Sequence, residues 1–259
     1  MIDLHTHLLP GLDDGVRSFA RAVQSMRQAQ ADGVEAIVVT PHQRPGLFDV
    51  ATADILDGIH TLKSHLDEAS LNFPIHPGAE VHIQEDLVEK VKNGELLTLN
   101  ETGRFILLEL PYVHIPKRLE DLIFGLKTED IHPIIAHPER NHGFRQHPDR
   151  LYELIRLGAY SQVTAASLIA RRDSELASYC LNLIRCHLCH VIASDSHGHG
   201  KRAKYFPEAK AVVTEHFSEH IADQLMMSNP RKIIQGEDLV VESPEPWRSR
   251  SRFFGLLKP

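Results

Sequence analysis

The sequence predicts an α/β fold of parallel βα units, closed as a barrel or laid out as a doubly wound sheet. Strand-like apolar runs alternate with amphipathic helices about seven times along the 259 residues. The runs are apolar throughout rather than alternating, the pattern of parallel strands covered on both faces. Polar, ligand-type residues stand where the runs stop, and in parallel barrels the C-terminal strand ends carry the chemistry.

The first strand, Ile2-Asp3-Leu4-His5, leads through His7 into Leu8-Leu9-Pro10-Gly11-Leu12-Asp13-Asp14-Gly15. Side chains two apart on a strand share a face, so His5 and His7 project together. Ser18 suits a helix N-cap, Phe19, Ala22, Val23, Met26 and Ala29 fall at helical spacing, and Gly33 stops the helix. Residues 35–40 read as a buried strand ending in Pro41-His42, followed by a helix with Ile55, Ile59, Leu62 and Leu66 on one face. Residues 75–81 form a short strand carrying Glu80, and residues 85–92 a polar helical stretch. The run from Phe105 ends on Glu109, residues 119–126 are helical, and the run from Pro133 ends on His137. Pro148 fits a first helical position before Leu151, Leu154 and Ile155, with Gly158 as the stop. Residues 160–163 give a short strand, a helix runs from about Ser167 through Tyr179 and Ile184, and Val191 to His197 is the last strand and its exit.

A single α/β barrel commonly reaches this length, and no boundary is visible before Glu242, so residues 1–242 are expected to be one domain and 243–259 a tail. A net charge of −7 argues against a nucleic-acid partner, which would need Lys and Arg to displace counterions. No apolar run approaches the ~18 residues that span a bilayer, and the first strand starts directly after Met1 with no room for a signal peptide. A cytoplasmic location is therefore expected. Three cysteines, all between Cys180 and Cys189, make no disulfide framework.

Collecting the strand-end residues gives nine nitrogen and oxygen donors: His5, His7, Asp14, His42, Glu80, Glu109, His137, Asp195 and His197. Nine is too many for one ion. Mixed imidazole and carboxylate sets favour Mn, Fe or Zn, and carboxylates can bridge neighbouring ions, so two or three ions are expected. Two enzyme superfamilies open with an H-x-H strand. Metal-dependent amidohydrolases usually bridge their ions with a modified lysine at a central strand end; no strand here ends in lysine, and Glu80 and Glu109 hold such positions.

With His5-Thr6-His7, Thr40-Pro41-His42, Gly78-Ala79-Glu80, His137-Pro138-Glu139-Arg140 and Ser194-Asp195-Ser196-His197, the chain resembles the PHP (polymerase and histidinol phosphatase) superfamily. More closely it resembles the bacterial manganese-dependent tyrosine-protein phosphatases of that superfamily encoded with capsule and exopolysaccharide genes. That likeness runs from Met1 to about Gly236 and includes Leu9-Pro10-Gly11-Leu12-Asp13-Asp14-Gly15, Gln162-Val163-Thr164-Ala165 and Asn229-Pro230-Arg231. The resemblance implies a distorted, TIM-like (βα) barrel with about seven parallel strands and three Mn2+ ions. By position, His5, His7, Glu80 and Asp195 would hold one ion, Glu80, Glu109 and His137 a second, and Asp14, His42 and His197 a third. Gln43 departs from relatives that carry a second histidine there, which touches a minor contact rather than a ligand.

The implied activity is hydrolysis of phosphotyrosine by a metal-activated hydroxide, with a membrane-associated tyrosine kinase of polysaccharide synthesis as protein partner. Arg140, three residues past a strand-end ligand, would clamp the phosphoryl oxygens with its planar fork; pairing with Glu139 at the surface is its plainer reading. Asp195 or a metal-held histidine such as His42 could donate a proton, although a phenol with a pKa of about 10 leaves with little help. No cysteine has the arginine six residues on that thiol-based phosphatases need. The rival readings are a phosphatase of a small monoester such as histidinol phosphate, and a noncatalytic binder of the kinase. Cys186-His187-Leu188-Cys189-His190 matches a haem-attachment pattern but lies between a core helix and a buried strand, where packing explains it. The tail carries Arg248, Arg250, Arg252 and Lys258 beside Phe253, Phe254, Leu256 and Leu257, suited to weak contact with an anionic membrane surface. Nothing in the sequence fixes an oligomeric state.

Overall fold

The structure, a computed structural model, describes residues 1–169, 175–198 and 201–247. In order, the elements are β1 (Ile2–Thr6), α1 (Phe19–Ala31), β2 (Ala36–Val39), β3 (His42–Gln43), α2 (Thr52–Glu68), β4 (Ile75–Pro77), β5 (Glu80–His82), α3 (Leu87–Lys92), β6 (Phe105–Glu109) and α4 (Leu119–Thr128). Then come β7 (His132–Ala136), α5 (His142–Gln146), α6 (Pro148–Arg156), β8 (Tyr160–Thr164), α7 (Ala165–Ile169), α8 (Glu175–Arg185), β9 (Val191–Ala193), α9 (Lys201–His216), α10 (Glu219–Asp223) and α11 (Asn229–Gln235). The helix expected from about Ser167 to Ile184 is found as α7 and α8; residues 170–174 lie outside the described residues.

The strands pair in parallel in two sheets, ordered β1-β2-β4 and β3-β5-β6-β7-β8-β9. Two expected strands each give rise to two, so among the described residues seven become nine. The strand expected at residues 35–40 is β2, and past Thr40-Pro41 its exit forms β3; the strand expected at residues 75–81 is interrupted at Gly78-Ala79 between β4 and β5. In each case the second strand joins the other sheet. Proline offers no N–H to continue a ladder. At Gly78 a Cβ would stand 2.8 Å from the Val38 side chain, so only glycine lets the chain cross there. Beyond the last strand, Asp195 N–H donates to the His5 carbonyl (2.9 Å) and His7 N–H to the Ser196 carbonyl (2.8 Å). These bonds join β1 to the exit of β9 in place of a ladder, and the result is a distorted barrel.

Alternate residues face opposite sides of the strands. Ile2, Leu4, Ala36, Val38, Phe105, Leu107, Ile134, Ala136, Val191 and Ala193 pack in the interior, with Leu99, Ile233 and Leu239 plugging its floor. Ile37, Val39, Ile106, Leu108, Ile135, Val163 and Ile192 face the helices in a larger cluster. One irregularity decides the site. Between Asp3 and Thr6, three steps of β1 match only two of β2, from Ile37 to Val39. The extra residue is a β-bulge that reverses the facing order. Leu4 and His5 therefore both point inward, and His7 follows His5.

Cys180, Cys186 and Cys189 are free and buried in the outer cluster, where burial pushes the Cys180 and Cys189 thiols up. That is core packing. At the start of the expected tail, Glu245 N–H donates to the Cys186 carbonyl (2.9 Å) and Trp247 packs on Tyr179 at 4.8 Å; residues 248–259, with the tail's basic and phenylalanine residues, lie outside the described residues. Among the described residues no helix is long and apolar enough to cross a membrane.

Candidate metal centre

The nine predicted donors meet at the C-terminal mouth of the barrel. Register explains why: His42 lies beside Glu80, Glu80 beside Leu107 and His82 beside Glu109, so the inward faces of β3, β5 and β6 stack acids and imidazoles in one layer. Glu80 is the hub. Its Oε2 stands 3.1 Å from His5 Nε2, 3.4 Å from His7 Nε2 and 3.1 Å from His42 Nδ1, and its Oε1 2.7 Å from His137 Nε2. Asp195 Oδ1 approaches His5 and His7 at 3.7 and 3.5 Å. Glu109 Oε2 is 3.6 Å from His42 Nδ1. Asp14 Oδ1, at the rim, is 3.7 Å from His42 Nε2 and 3.5 Å from His197 Nε2.

These atoms cluster in threes and fours as His5, His7 and Glu80; His42, Glu80 and Glu109; and His7, Asp14, His42 and His197. His42 lies with Glu80 and Glu109 as well as with Asp14 and His197. His137 reaches Glu80 from the other carboxylate oxygen.

Hydrogen bonding tests whether cations fit. His7 Nδ1 donates to Asp13 Oδ2 (2.6 Å), which leaves its Nε2 as an acceptor; His5 Nδ1 faces Gln162 Oε1 (2.8 Å), with the same consequence. The two Nε2 atoms nevertheless face each other at 3.0 Å, beside two carboxylate oxygens. Four acceptors 3.0 to 3.7 Å apart are spaced as ligands about 2.1 Å from a common ion would be. His42 Nδ1, buried, has no hydrogen-bond partner. Burial opposes charge on His7, yet Asp13, Asp195 and Glu80 outweigh it and raise its pKa well above the ordinary histidine range. The pocket demands positive charge, and the groups are able to hold metal.

Burial raises the Asp195 and Glu80 carboxyls, but the imidazoles around them, and Arg140 for Asp195, hold both well below the usual range. Arg140 Nη1 donates to Asp195 Oδ2 at 2.6 Å. It does not pair with Glu139, whose Oε1 instead accepts Thr164 N–H (3.0 Å) and Ser167 O–H (2.8 Å). Ionised Asp195 suits a ligand and an anchor for Arg140 better than a proton donor. His42 is likewise held neutral, by burial against the pull of Glu80. Both His137 (φ 33°) and Asp195 (φ 53°) sit in left-handed backbone, which non-glycine residues adopt at a cost and which recurs at functional sites.

Other groups near the mouth stand outside the nine predicted donors. Asp13, not only Asp14, belongs to it: besides orienting His7 it accepts Gly15 N–H (2.9 Å) and His42 N–H (3.2 Å). His82 Nδ1 lies 3.0 Å and Arg44 Nη1 3.7 Å from Glu109. Asp3, raised by burial to about 6, accepts Ser194 N–H and ties the bulged strand to β9. Phe48 stacks on His42 and Tyr112 on His137. The doubled Asp13-Asp14 was the one readable clue. Gln43 points away from the mouth and tethers Val50, Glu95 and Leu97, a loop contact rather than a ligand position.

Residues 1–235 match the family described as capsular polysaccharide synthesis, CpsB/CapC. The tyrosine-protein phosphatase YwqE of Bacillus subtilis is 31% identical over 98% of this chain and 99% of its own length. CapC of Staphylococcus aureus is 32% identical over 99% of this chain and all of its own. A structure from a study of YwqE and Streptococcus pneumoniae CpsB, described as metal-dependent tyrosine phosphatases, superposes with a TM-score of 0.91 at 31% identity over 96% of this chain and 100% of that one. An Escherichia coli phosphotriesterase homology protein shares the fold at a TM-score of 0.56 and 14% identity, covering 90% of this chain and 98% of that one. From its first strand to the end of α11, this chain belongs to the CpsB/CapC family of capsular polysaccharide synthesis proteins.

Proposed function

We propose that this chain is a metal-dependent protein-tyrosine phosphatase, acting in the bacterial cytoplasm on the phosphotyrosines of a kinase that regulates capsular or exopolysaccharide synthesis. One observation carries the reading: a nine-donor mouth crowned by Arg140, on a chain that matches tyrosine phosphatases along nearly its whole length. Three Mn2+ ions are assigned, the first to His5, His7, Glu80 and Asp195, the second to Glu80, Glu109 and His137, the third to Asp14, His42 and His197. Glu80 is common to two sets, and His42 lies close enough to Glu80 and Glu109 to be shared as well.

Bound divalent ions supply a hydrolytic nucleophile at neutral pH and neutralise phosphoryl oxygens. The chain's own groups do the rest. Asp13 and Gln162 fix the His7 and His5 rings with Nε2 toward the centre. Arg140, aimed by Asp195, offers its fork to the equatorial phosphoryl oxygens. A phenol of pKa about 10 departs without a dedicated acid, which agrees with an ionised Asp195 and a neutral His42. The basic tail adds about 1 kcal/mol of attraction per residue to an anionic membrane bearing the kinase.

The test is metal-dependent hydrolysis of a phosphotyrosine peptide against the same peptide carrying phosphoserine and against histidinol phosphate. A preference for the first is expected. Equal rates on all three, or a preference for histidinol phosphate, overturns the assignment.

A further inference from the structure

Two aromatic side chains stand at the mouth with no role in the core. Phe48, half-buried, stacks on His42 with ring centroids 5.2 Å apart and planes 7° from parallel. Tyr112, 44% exposed, stacks on His137 at 5.8 Å and 17°. His42 reaches Oε2 of Glu80 and His137 reaches Oε1, so the rings back onto histidines serving opposite oxygens of one carboxylate.

Both rings sit on loops that are tied down. Arg44 and Phe48 exchange backbone hydrogen bonds of 3.0 and 2.8 Å, and Gly46 N–H donates to Asp49 (2.8 Å), which closes a tight turn under Phe48. Around Tyr112, Asn141 Nδ2 donates to the Pro111 and His114 carbonyls (2.6 and 3.1 Å), and His142 N–H to the Tyr112 carbonyl (2.8 Å). Asn141 directly follows Arg140, so one short segment sets both the phosphate clamp and the Tyr112 loop. Fixing partly exposed aromatic rings costs hydration and loop entropy that the fold does not recover in its core. Rings held in place beforehand can take a further flat ring by offset stacking or edge-to-face contact without a new ordering cost.

Resting on the phosphatase reading, we propose that Phe48 and Tyr112 are specificity-determining residues, two aromatic jaws that admit the phenyl ring of phosphotyrosine and disfavour phosphate esters of alkyl alcohols. An aromatic pair is worth a factor of roughly two to ten in affinity.

The test measures binding of phenylphosphonate and of methylphosphonate to the metal-loaded full chain by calorimetry. It uses wild type, Phe48→Leu, Tyr112→Leu, the double variant and Tyr112→Phe. Both probes share the phosphonate, so altered metal content cancels in their affinity ratio. Wild type should favour phenylphosphonate, each leucine should cut that preference roughly two- to tenfold, the double variant should cut it further, and Tyr112→Phe should keep it. An unchanged ratio in the double variant, or no phenyl preference in wild type, overturns the jaws. A phenyl preference that depends on the two rings, in a chain that does not hydrolyse phosphotyrosine peptides, would instead overturn the proposed reaction and leave the jaws standing.

Discussion

Strand β7 carries a histidine just inside one end and another just past the other, and the two behave as different residues. His137, at the mouth, turns Nε2 to Glu80 at 2.7 Å within a cluster of acids. His132, at the floor, stacks on Phe105 and Tyr160 and takes Lys127 Nζ at 2.8 Å from Nδ1. Burial, then Lys127 and Arg104, lowers the pKa of His132. His190, also away from the mouth, is lowered by burial to about 3 and accepts Ser161 N–H on Nδ1. At the mouth the acids reverse this for His7, whose pKa rises although it is equally buried. The carboxylates within reach, not the imidazoles, make a barrel end a cation site.

The sharpest way to break that contrast is to remove the acid at the hub. Glu80→Gln touches His5, His7, His42 and His137 at once and should take turnover to background, with the bound metal, measured by elemental analysis, falling in parallel. The matching change at the floor, His132→Phe, should leave both quantities unaltered. Metal retained by Glu80→Gln at wild-type stoichiometry would show that the remaining imidazoles and carboxylates hold it without the hub.

Next in size is Arg140→Lys. It keeps the charge near Asp195 and loses the planar fork, so kcat on a phosphotyrosine peptide should fall on the order of 10²-fold, the scale of removing one transition-state donor. A change confined to KM would instead assign Arg140 to ground-state binding. Smaller again is Asp13→Ala, which touches no assigned ion but frees the His7 ring. Metal affinity should weaken about 10- to 100-fold, with turnover recovering at saturating metal. Titration with Mn2+ separates that recovery from a loss that metal cannot reverse.

The nine donors were legible because a parallel barrel delivers every strand end to one mouth, and a residue after an apolar run is visible in one dimension. The bulge in β1 was not. Ile2-Asp3-Leu4-His5 shows the same alternation whether or not one residue is extra, and only pairing with β2 reveals that Leu4 and His5 share a side. The breaks at Pro41 and Gly78 were hidden for another reason: the polar segments His42-Gln43 and Glu80-Val81-His82 read in sequence as strand exits, and only their pairing shows them to be strands of the second sheet. Phe48 and Tyr112 lie in loops far apart in sequence, and their shared relation to Glu80 exists only once the barrel has formed.

The smallest effect belongs away from the mouth and appears as pH dependence. His190 is neutral in the folded state with a pKa of about 3, against about 6.5 unfolded. Between those values the unfolded chain binds a proton that the folded chain refuses, so the stabilisation is complete above about 6.5 and is lost as pH falls toward 3. From pH 7 to pH 5 this amounts to about 2 kcal/mol. His190→Asn keeps a side-chain acceptor for the Ser161 N–H but does not titrate. It should begin less stable from lost packing, and its urea midpoint should decline less than that of wild type over the same pH interval. Turnover at pH 7 should be untouched, because among the described residues His190 hydrogen-bonds to the Ser161 backbone and the Asn229 side-chain amide, neither of them a donor of the mouth. Parallel pH profiles for the two proteins would mean that the His190 ring takes up its proton in the folded barrel, and the division between acid-paired and acid-free histidines would fail at its clearest member.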